Sequence, residues 1–317
     1  MNNNPHIAAV SRVESLFLNR KLFWNTVNST MHKRMLGFVG MDWHSAVFIP
    51  VNIWLDIFNK SLKHNFSGNF HLDVEDEGNL IALLCTLMSV TSWRYSQGCY
   101  IVNEYVKSNL FNENQGSFIS SDHIKNLSEW TTYILLDDVL LNEKKVHGIF
   151  CHKNNFSDYG KTTPPDILII TFNMDQDFPE NNAPMPFVIL NIKTNQSIES
   201  SILSYGGIDP NQLIDLISPV ISLINLLGDS STVIESEVTG MKRPHHLDVE
   251  KNLNFSELNI PSFKLSAPSN MRMWQVGANH MTHYKKLIRL NNVTKVRDIH
   301  WKRDGDELKL IHATHID

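Results

Sequence analysis

Pro165-Asp166-Ile167-Leu168-Ile169-Ile170 and Phe187-Val188-Ile189-Leu190-Asn191-Ile192-Lys193 are two apolar runs joined by a loop rich in proline and asparagine. Short apolar runs bounded by such a loop are typical of neighbouring buried strands. Side chains alternate along a strand, so Asn191 and Lys193 are expected to share a face. The sequence therefore predicts a sheet in which an acid opens one strand, and a polar residue and a lysine close the next.

The chain before these runs predicts one more strand and a helix. Residues 146–152 are a third strand candidate, since prolines and Gly160 separate them from the next apolar run. Ser120-Ser121-Asp122 is typical of a helix cap, and the residues that follow have helical spacing. We expect that helix to end near residues 138–142. Its apolar positions are Ile124, Leu127, Trp130, Thr131, Ile134 and Leu135.

The chain after these runs predicts a long helix over residues 210–227, kinked or divided by Pro219 and ended by Gly228. A fourth strand is expected over residues 232–238. Residues 240–270 have the composition of a loop, and residues 274–290 favour a helix. Two strands over residues 295–302 and 307–312 are expected to form a hairpin, because an Asp-Gly turn joins them.

The first part of the chain favours helices. Residues 10–62 carry apolar side chains at helical spacing, and Gly37, Gly40 and Pro50 divide them into shorter pieces. Acids at positions 73–77 precede a long apolar run that predicts a helix through residues 80–90. A second helix is expected over residues 100–110.

These elements predict an α+β fold in three parts. Residues 1–118 are expected to form a helical region, residues 119–240 a central mixed sheet flanked by helices, and residues 241–317 a basic extension with a β-hairpin. The length of 317 residues is sufficient for one large domain or two, and 42% hydrophobic residues are typical of a folded chain.

The charge is unevenly distributed. The whole chain has a net charge of -5, whereas nine basic and four acidic residues give the segment 272–309 a net charge of +5. Such a segment is compatible with a surface that faces phosphate groups, or with an ordinary solvated face. The candidate nucleic-acid-binding residues are Lys285, Lys286, Arg289, Arg297, Trp301, Lys302 and Arg303.

Cysteine usage and the lack of targeting signals predict an intracellular protein, cytoplasmic or nuclear. Three distant cysteines without a CxxC motif favour buried thiols in a reducing compartment. The first residues lack the pattern of a secretory signal. The sequence contains no run of 18 or more apolar residues, so no membrane span is predicted.

The order helix, three strands, helix, strand, with Pro-Asp opening one strand and a polar-x-Lys closing the next, resembles the PD-(D/E)XK nuclease superfamily. The resemblance implies a restriction-endonuclease-like core and a Mg²⁺-dependent endonuclease. Asp166 matches the metal-binding aspartate, and Lys193 matches the lysine that orients water or offsets charge on the phosphate. Glu129 is the candidate for the acid on the preceding helix. Gln212 matches a supporting polar residue on the following helix.

Asn191 departs from the family pattern, because an Asp or Glu is expected two residues before the lysine. Mg²⁺ favours anionic oxygen ligands, so an Asn carbonyl beside Asp166 predicts a weaker metal site. Phosphodiester hydrolysis needs an ion that activates water and a cation beside the reacting phosphate. The candidate site is therefore Asp166, Asn191, Lys193 and Glu129, with Asp166 and Asn191 as the metal ligands.

Two other interpretations stay open. The apolar helices of the first 140 residues are compatible with a non-enzymatic structural or assembly protein of viral or mobile-element origin, which would bind further copies or other subunits. Alternatively, a nuclease-like fold would serve only as a clamp on DNA or RNA. All three interpretations expect a protein without a membrane partner.

Overall fold

The computed structural model describes residues 9, 13–35, 37, 41–65, 77–96, 98–102, 118–127, 129–141, 143–156, 163–175, 184–192, 196–228, 234–236, 272–276, 283–290, 293–304 and 307–312. Beyond residue 228 the structure describes the backbone of residues 234–236, 272–276, 283–290, 293–304 and 307–312, all of them in strands. Helices and a large mixed sheet make up the described part, which confirms the predicted α+β class.

Eight strands form the main sheet in the order β6-β5-β4-β3-β2-β1-β8-β7. The strands from β2 to β6 are antiparallel neighbours, β1 runs parallel to both β2 and β8, and β7 is antiparallel to β8. Their bounds are β1 Gly98–Val102, β2 Thr131–Leu141, β3 Lys144–Asn154, β4 Ile167–Met174, β5 Phe187–Asn191, β6 Ile202–Gly206, β7 Ile234–Ser236 and β8 Arg272–Val276.

The helices lie on both sides of this sheet. Their bounds are α1 Arg20–Met35, α2 Val51–Ile57, α3 Glu77–Ser96, α4 Ser121–Asn126, α5 Ile198–Ser201 and α6 Pro210–Gly228. The α2 helix continues into a π-helical turn, Phe58–Leu62, and a 3-10 turn, Lys63–Asn65. The α6 helix is continuous through Pro219.

The central strands β4 and β5 are buried on both faces, which explains why they are apolar without interruption. Ile167 and Ile169 belong to a first core, beneath α1, α2 and α3. Leu168 and Ile170 alternate with them and belong to a second core, beneath α4 and α6. Every residue of β4 is buried. Each fully buried aliphatic side chain of this kind stabilises the fold by roughly 2 kcal/mol.

Several sequence predictions are confirmed. The strand candidates correspond to β3, β4 and β5, and the long C-terminal helix of the central region corresponds to α6. Ser120 caps α4, since its hydroxyl accepts a hydrogen bond from the backbone N–H of His123 at 3.3 Å. The helix that follows the acidic segment is α3, and the break before Val51 separates α1 from α2.

Three helix predictions are wrong. Gly98–Val102 is a strand at positions where residues 100–110 were expected to begin a helix, and residues 103–110 lie outside the described residues. The predicted helix over residues 120–142 ends at Asn126, and Thr131–Leu141 is β2. Residues 274–290 contain parts of β8 and the strand β9, His283–Leu290. In each case pairing with a neighbouring strand overrides local helical spacing.

The predicted hairpin is confirmed as part of a three-stranded sheet. Strand β10, Val293–Asp304, lies between β9 and β11, Glu307–His312, and pairs antiparallel with both. Asp304 pairs with Glu307, so the chain reverses between these two residues.

The main sheet crosses both predicted segment boundaries. Strand β1 comes from residues 1–118 and β8 from residues 241–317, yet they pair along five residues. Parallel pairing thus joins segments that are distant in sequence, and the division at residues 118 and 240 stays a prediction.

One described helix, α6, is long and apolar enough to cross a membrane. Inside the protein, 61% of its apolar window is buried, which is typical of a core helix.

Candidate functional site

Backbone pairing brings the predicted site residues to one end of the main sheet. Glu129 precedes β2, Asp166 precedes β4, and Asn191 ends β5. The backbone N–H of Asp166 donates to the carbonyl oxygen of Asn154 at 3.1 Å, and the N–H of Ile192 donates to the carbonyl oxygen of Asp166 at 2.8 Å. The antiparallel order of β2 to β5 thus places these residues at neighbouring strand ends.

The register separates Asp166 from Asn191. Asn191 pairs directly with Ile167, so it lies on the face of the first core. Asp166 alternates with Ile167 and follows the face of Leu168, which belongs to the second core. A single-residue offset therefore directs the two side chains to opposite faces. Lys193 lies outside the described residues.

Asp166 is exposed, and partial burial and backbone hydrogen bonds have opposite effects on its carboxyl group. Partial burial raises the pKa of Asp166, while hydrogen bonds from its own backbone N–H and from that of Phe156 act in the opposite direction. Both groups that stabilise the ionised carboxylate of Asp166 are backbone N–H groups. Asp166 is thus placed to accept backbone hydrogen bonds at the rim of the sheet.

Glu129 is not on a helix, which corrects the sequence prediction. It lies in the connection between α4 and β2, and its exposed fraction is 1%. Gln212, by contrast, is exposed in the first turn of α6. Within the part of the chain that the structure describes, no three His, Cys, Asp or Glu residues form a group that could hold a metal ion. The Mg²⁺ site stays a prediction.

A buried polar cluster, formed by Ser92, Thr131, His152 and Asn154, was missed by the sequence analysis. His152 Nδ1 lies 3.0 Å from Ser92 Oγ and 2.8 Å from Thr131 Oγ1, and the two hydroxyl groups also contact each other. Asn154 Nδ2 lies 2.9 Å from His152 Nε2 and donates to the carbonyl oxygen of Ile49 at 3.1 Å. The cluster joins α3, β2, β3 and the segment before α2.

These contacts assign the histidine tautomer. An amide nitrogen only donates, so His152 Nε2 accepts from Asn154, and Nδ1 carries the hydrogen toward the two hydroxyl groups. Burial lowers the pKa of His152 to about 3, the nearby charge of Lys153 acts in the same direction, and a backbone hydrogen bond with Trp130 opposes them. His152 is therefore neutral at physiological pH, and its full burial leaves no room for a substrate.

Lys153 is a fully buried lysine at the same end of the sheet. Its Nζ atom donates to the carbonyl oxygen of Leu127 at 2.5 Å, directly after α4. Burial lowers the pKa of His44, and the charges of Lys153 and Arg34 lower it further. The polar run His152-Lys153-Asn154 at the end of the apolar strand β3 is the sequence signal for both buried groups.

The predicted nucleic-acid-binding residues lie on two strands of the three-stranded sheet. Lys285, Lys286 and Arg289 are on β9; Arg297, Trp301, Lys302 and Arg303 are on β10. The register pairs Arg297 with Lys286 and Lys302 with Lys309. Cationic positions therefore occur next to each other on neighbouring strands, as a phosphate-binding surface would need.

The fold is similar to that of a known protein. AcrVA2, an anti-CRISPR protein with a crystal structure, aligns with 99% of this chain and with 99% of its own, at a TM-score of 0.54 and 13% sequence identity. No protein-family model and no curated protein matches the chain. At 13% identity the likeness shows a common fold alone.

Proposed function

We propose that this protein counteracts CRISPR immunity by binding a component of that system, without catalysing a reaction. The observation that carries the proposal is the likeness to the anti-CRISPR protein AcrVA2, which extends over 99% of both chains. A likeness over the whole length includes the helical region, the main sheet and the C-terminal strands. It therefore favours a common overall role more than a single shared motif would.

The surroundings of the polar groups support binding over catalysis. His152 and Lys153 are fully buried, and the cluster around His152 has internal hydrogen-bond partners. Catalytic acids and bases must reach a substrate proton directly or through one water molecule. Groups that are sealed and satisfied in this way stabilise a fold, and leave recognition to the exposed surface.

A phage plating experiment tests the proposal. Bacterial strains with different CRISPR effectors, each carrying a spacer against the same phage, would express the protein or an empty vector. Inhibition in at least one strain raises the number of plaques to that of a strain with a non-targeting spacer. Soluble expression with full immunity in every strain would overturn the proposal for the systems tested.

A nuclease is the second candidate, because Glu129, Asp166 and Asn191 lie at one end of the sheet. The opposite faces of Asp166 and Asn191 favour a metal bound by Asp166 without Asn191. This candidate expects Mg²⁺- or Mn²⁺-dependent cleavage of DNA or RNA that is lost in Asp166→Asn and Lys193→Gln. The matched control is Asp175→Asn, an exposed aspartate directly after β4. Equal cleavage by all variants, or none by the native protein, would reject it.

A further inference from the structure

The α1 helix is unusually basic for this chain. Its sixteen residues, Arg20–Met35, include Arg20, Lys21, Lys33 and Arg34 and no acid, a net charge of +4 in a protein of net charge -5. The remaining residues therefore carry -9. Four positive charges within sixteen residues are a local concentration, in addition to the segment 272–309 with its net charge of +5. Such a charge attracts an acidic partner.

The apolar face of α1 is anchored in the first core. Phe23, Val27 and Met31 are fully buried, and the indole of Trp24 donates to the carboxylate of Glu14 at 3.0 Å. The helix begins at a defined cap, since Asn19 Oδ1 accepts from the backbone N–H of Leu22 at 3.0 Å. The opposite face is therefore presented on a rigid support.

That opposite face carries cations at both ends and neutral polar residues between them. Lys21, Asn25, Ser29 and Lys33 are all exposed. The two lysines are twelve residues apart, which is about 18 Å along a helix axis. Neither lysine forms an ion pair with another described residue. We call these four residues, with the exposed His32, the cationic face of α1.

The position of the first cations does not stabilise the helix itself. A helix N-terminus carries partial positive charge, so Arg20 and Lys21 in the first turn are unfavourable there. The first turn contains no acid, although Arg20 lies 3.9 Å from the carboxylate of Glu14 outside the helix. An anion bound from outside would offset the charge of Lys21.

We propose that the cationic face of α1 binds the phosphate backbone of double-helical nucleic acid. The major groove of DNA is about 12 Å wide, so cations about 18 Å apart extend beyond it on both sides. Lys21 contacts phosphates on one side, His32 and Lys33 contact them on the other, and Asn25 and Ser29 face the groove. Amide and hydroxyl groups hydrogen-bond to both phosphates and base edges.

A membrane fits this helix less well than nucleic acid does. A helix that lies on a lipid surface inserts its apolar face, and the apolar face of α1 is buried in the first core. The exposed apolar residues Leu18 and Leu22 lie only at the N-terminal end. This proposal does not depend on the proposed inhibition of CRISPR immunity, since purified protein is sufficient to test it.

The test measures fluorescence anisotropy with short labelled duplexes of DNA and of RNA over a series of salt concentrations. Each phosphate contact contributes about 0.9 to the slope of log affinity against log salt for B-DNA. K21Q/K33Q is expected to bind DNA roughly tenfold more weakly and to lower that slope by about 2. The RNA duplex shows whether the phosphates that α1 binds belong to DNA or to RNA. If K21Q/K33Q changes the affinity for both duplexes equally, the cationic face of α1 contacts the phosphate backbone alone.

The matched control is K125Q/K145Q, which changes the same charge at two exposed lysines on α4 and β3. It is expected to retain the native slope. Asn25→Asp gives a second variant, because it introduces a negative charge between the two lysines and should also weaken binding. Native binding that is absent at low salt, or equal effects of both double variants, would overturn the proposal, even if phage plating showed CRISPR inhibition.

Discussion

The Nδ1 atom of His152 lies 2.8 Å from the Oγ1 atom of Thr131, inside a cluster without solvent access that joins two strands and a helix. Both residues pair across β2 and β3, since Thr131 is the register partner of His152. Backbone pairing and side-chain hydrogen bonding therefore hold the same two residues. The imidazole of His152 is neutral at this position, because burial disfavours its charged form.

The stability of the protein should fall in mild acid because of His152. The unfolded chain binds a proton at this residue near pH 6.5, whereas burial keeps the pKa of His152 in the folded protein at about 3. Between these values the unfolded state binds more protons, so the free energy of unfolding decreases as the pH falls. The contribution lost between pH 7 and pH 5 is about 2 kcal/mol.

Urea unfolding of the native protein and of His152→Gln at both pH values measures this effect. The native protein should lose about 2 kcal/mol more than the variant, because all other titrating groups are common to both. NMR titration of the His152 ring in the native protein provides a check that needs no variant. A ring signal that titrates near pH 6.5 in the folded state would contradict the expectation.

The hydroxyl group of Thr131 should stabilise the fold through the same cluster. Thr131→Val keeps the shape of the side chain but removes the group that contacts Ser92 and His152, and leaves a buried imidazole N–H with fewer acceptors. We expect a loss of about 1–3 kcal/mol in the free energy of unfolding. Thr26→Val is the control, because its hydroxyl only bonds to Leu22 one helical turn earlier.

A double-mutant cycle separates the cluster from simple packing. Ser92→Ala and Thr131→Val together should destabilise by less than the total of the single variants, since they remove the two partners of one contact. Additive losses would show that the two hydroxyl groups act independently.

The sequence could predict β4 and β5 because their burial on both faces produces unbroken apolar runs. It could not predict β2, since Trp130, Thr131, Ile134 and Leu135 satisfy a helical spacing as well. The decisive contribution to β2 is its pairing with β3 along the register from Thr131 to Leu141. Non-local pairing of this kind has no local sequence signal.

The candidate site shows the same limit. Pro165-Asp166 and the end of β5 indicated correctly that two strand ends are neighbours. A shift of one residue in the pairing of two strands moves a side chain to the opposite face of the sheet. Alternation within a single strand does not determine how that strand is aligned with its neighbour. Likewise, Glu129 was placed on a helix because the end of α4 at Asn126 has no glycine or proline to mark it.

Two of the three cysteines should be unreactive in the folded protein. Cys85 and Cys151 are fully buried in the two cores, and burial raises the pKa of both thiols well above the ordinary value. Because the thiolate is the reactive form, a thiol reagent at pH 8 should modify at most one cysteine, Cys99, before unfolding. Denatured protein should give three reactive thiols, and folded Cys99→Ser none. Rapid modification of folded Cys99→Ser would show that a core opens easily.

Gly148 should be essential to the packing of Tyr133. The fully buried ring of Tyr133 on β2 extends over Gly148 on β3, and its hydroxyl accepts a hydrogen bond at 3.0 Å from Nδ2 of Asn173 on β4. A Cβ atom at Gly148 would lie 2.6 Å from the Tyr133 ring and 2.6 Å from the carbonyl oxygen of Ile134. Since the carbonyl belongs to a paired strand, neither neighbour can move freely. We therefore expect Gly148→Ala to destabilise the protein by about 3 kcal/mol.

Gly37→Ala provides the matched control for this last prediction. Gly37 has a φ of 67°, and no atom lies within 4 Å of a Cβ built on it. Alanine there meets only backbone strain, about 1 kcal/mol for an L-residue in the left-handed region. Urea unfolding of both variants thus compares steric exclusion with strain at an open position. If Gly148→Ala lost no more stability than Gly37→Ala, the Tyr133 ring would have an alternative position, and its contact with Asn173 would not fix the alignment of β2, β3 and β4.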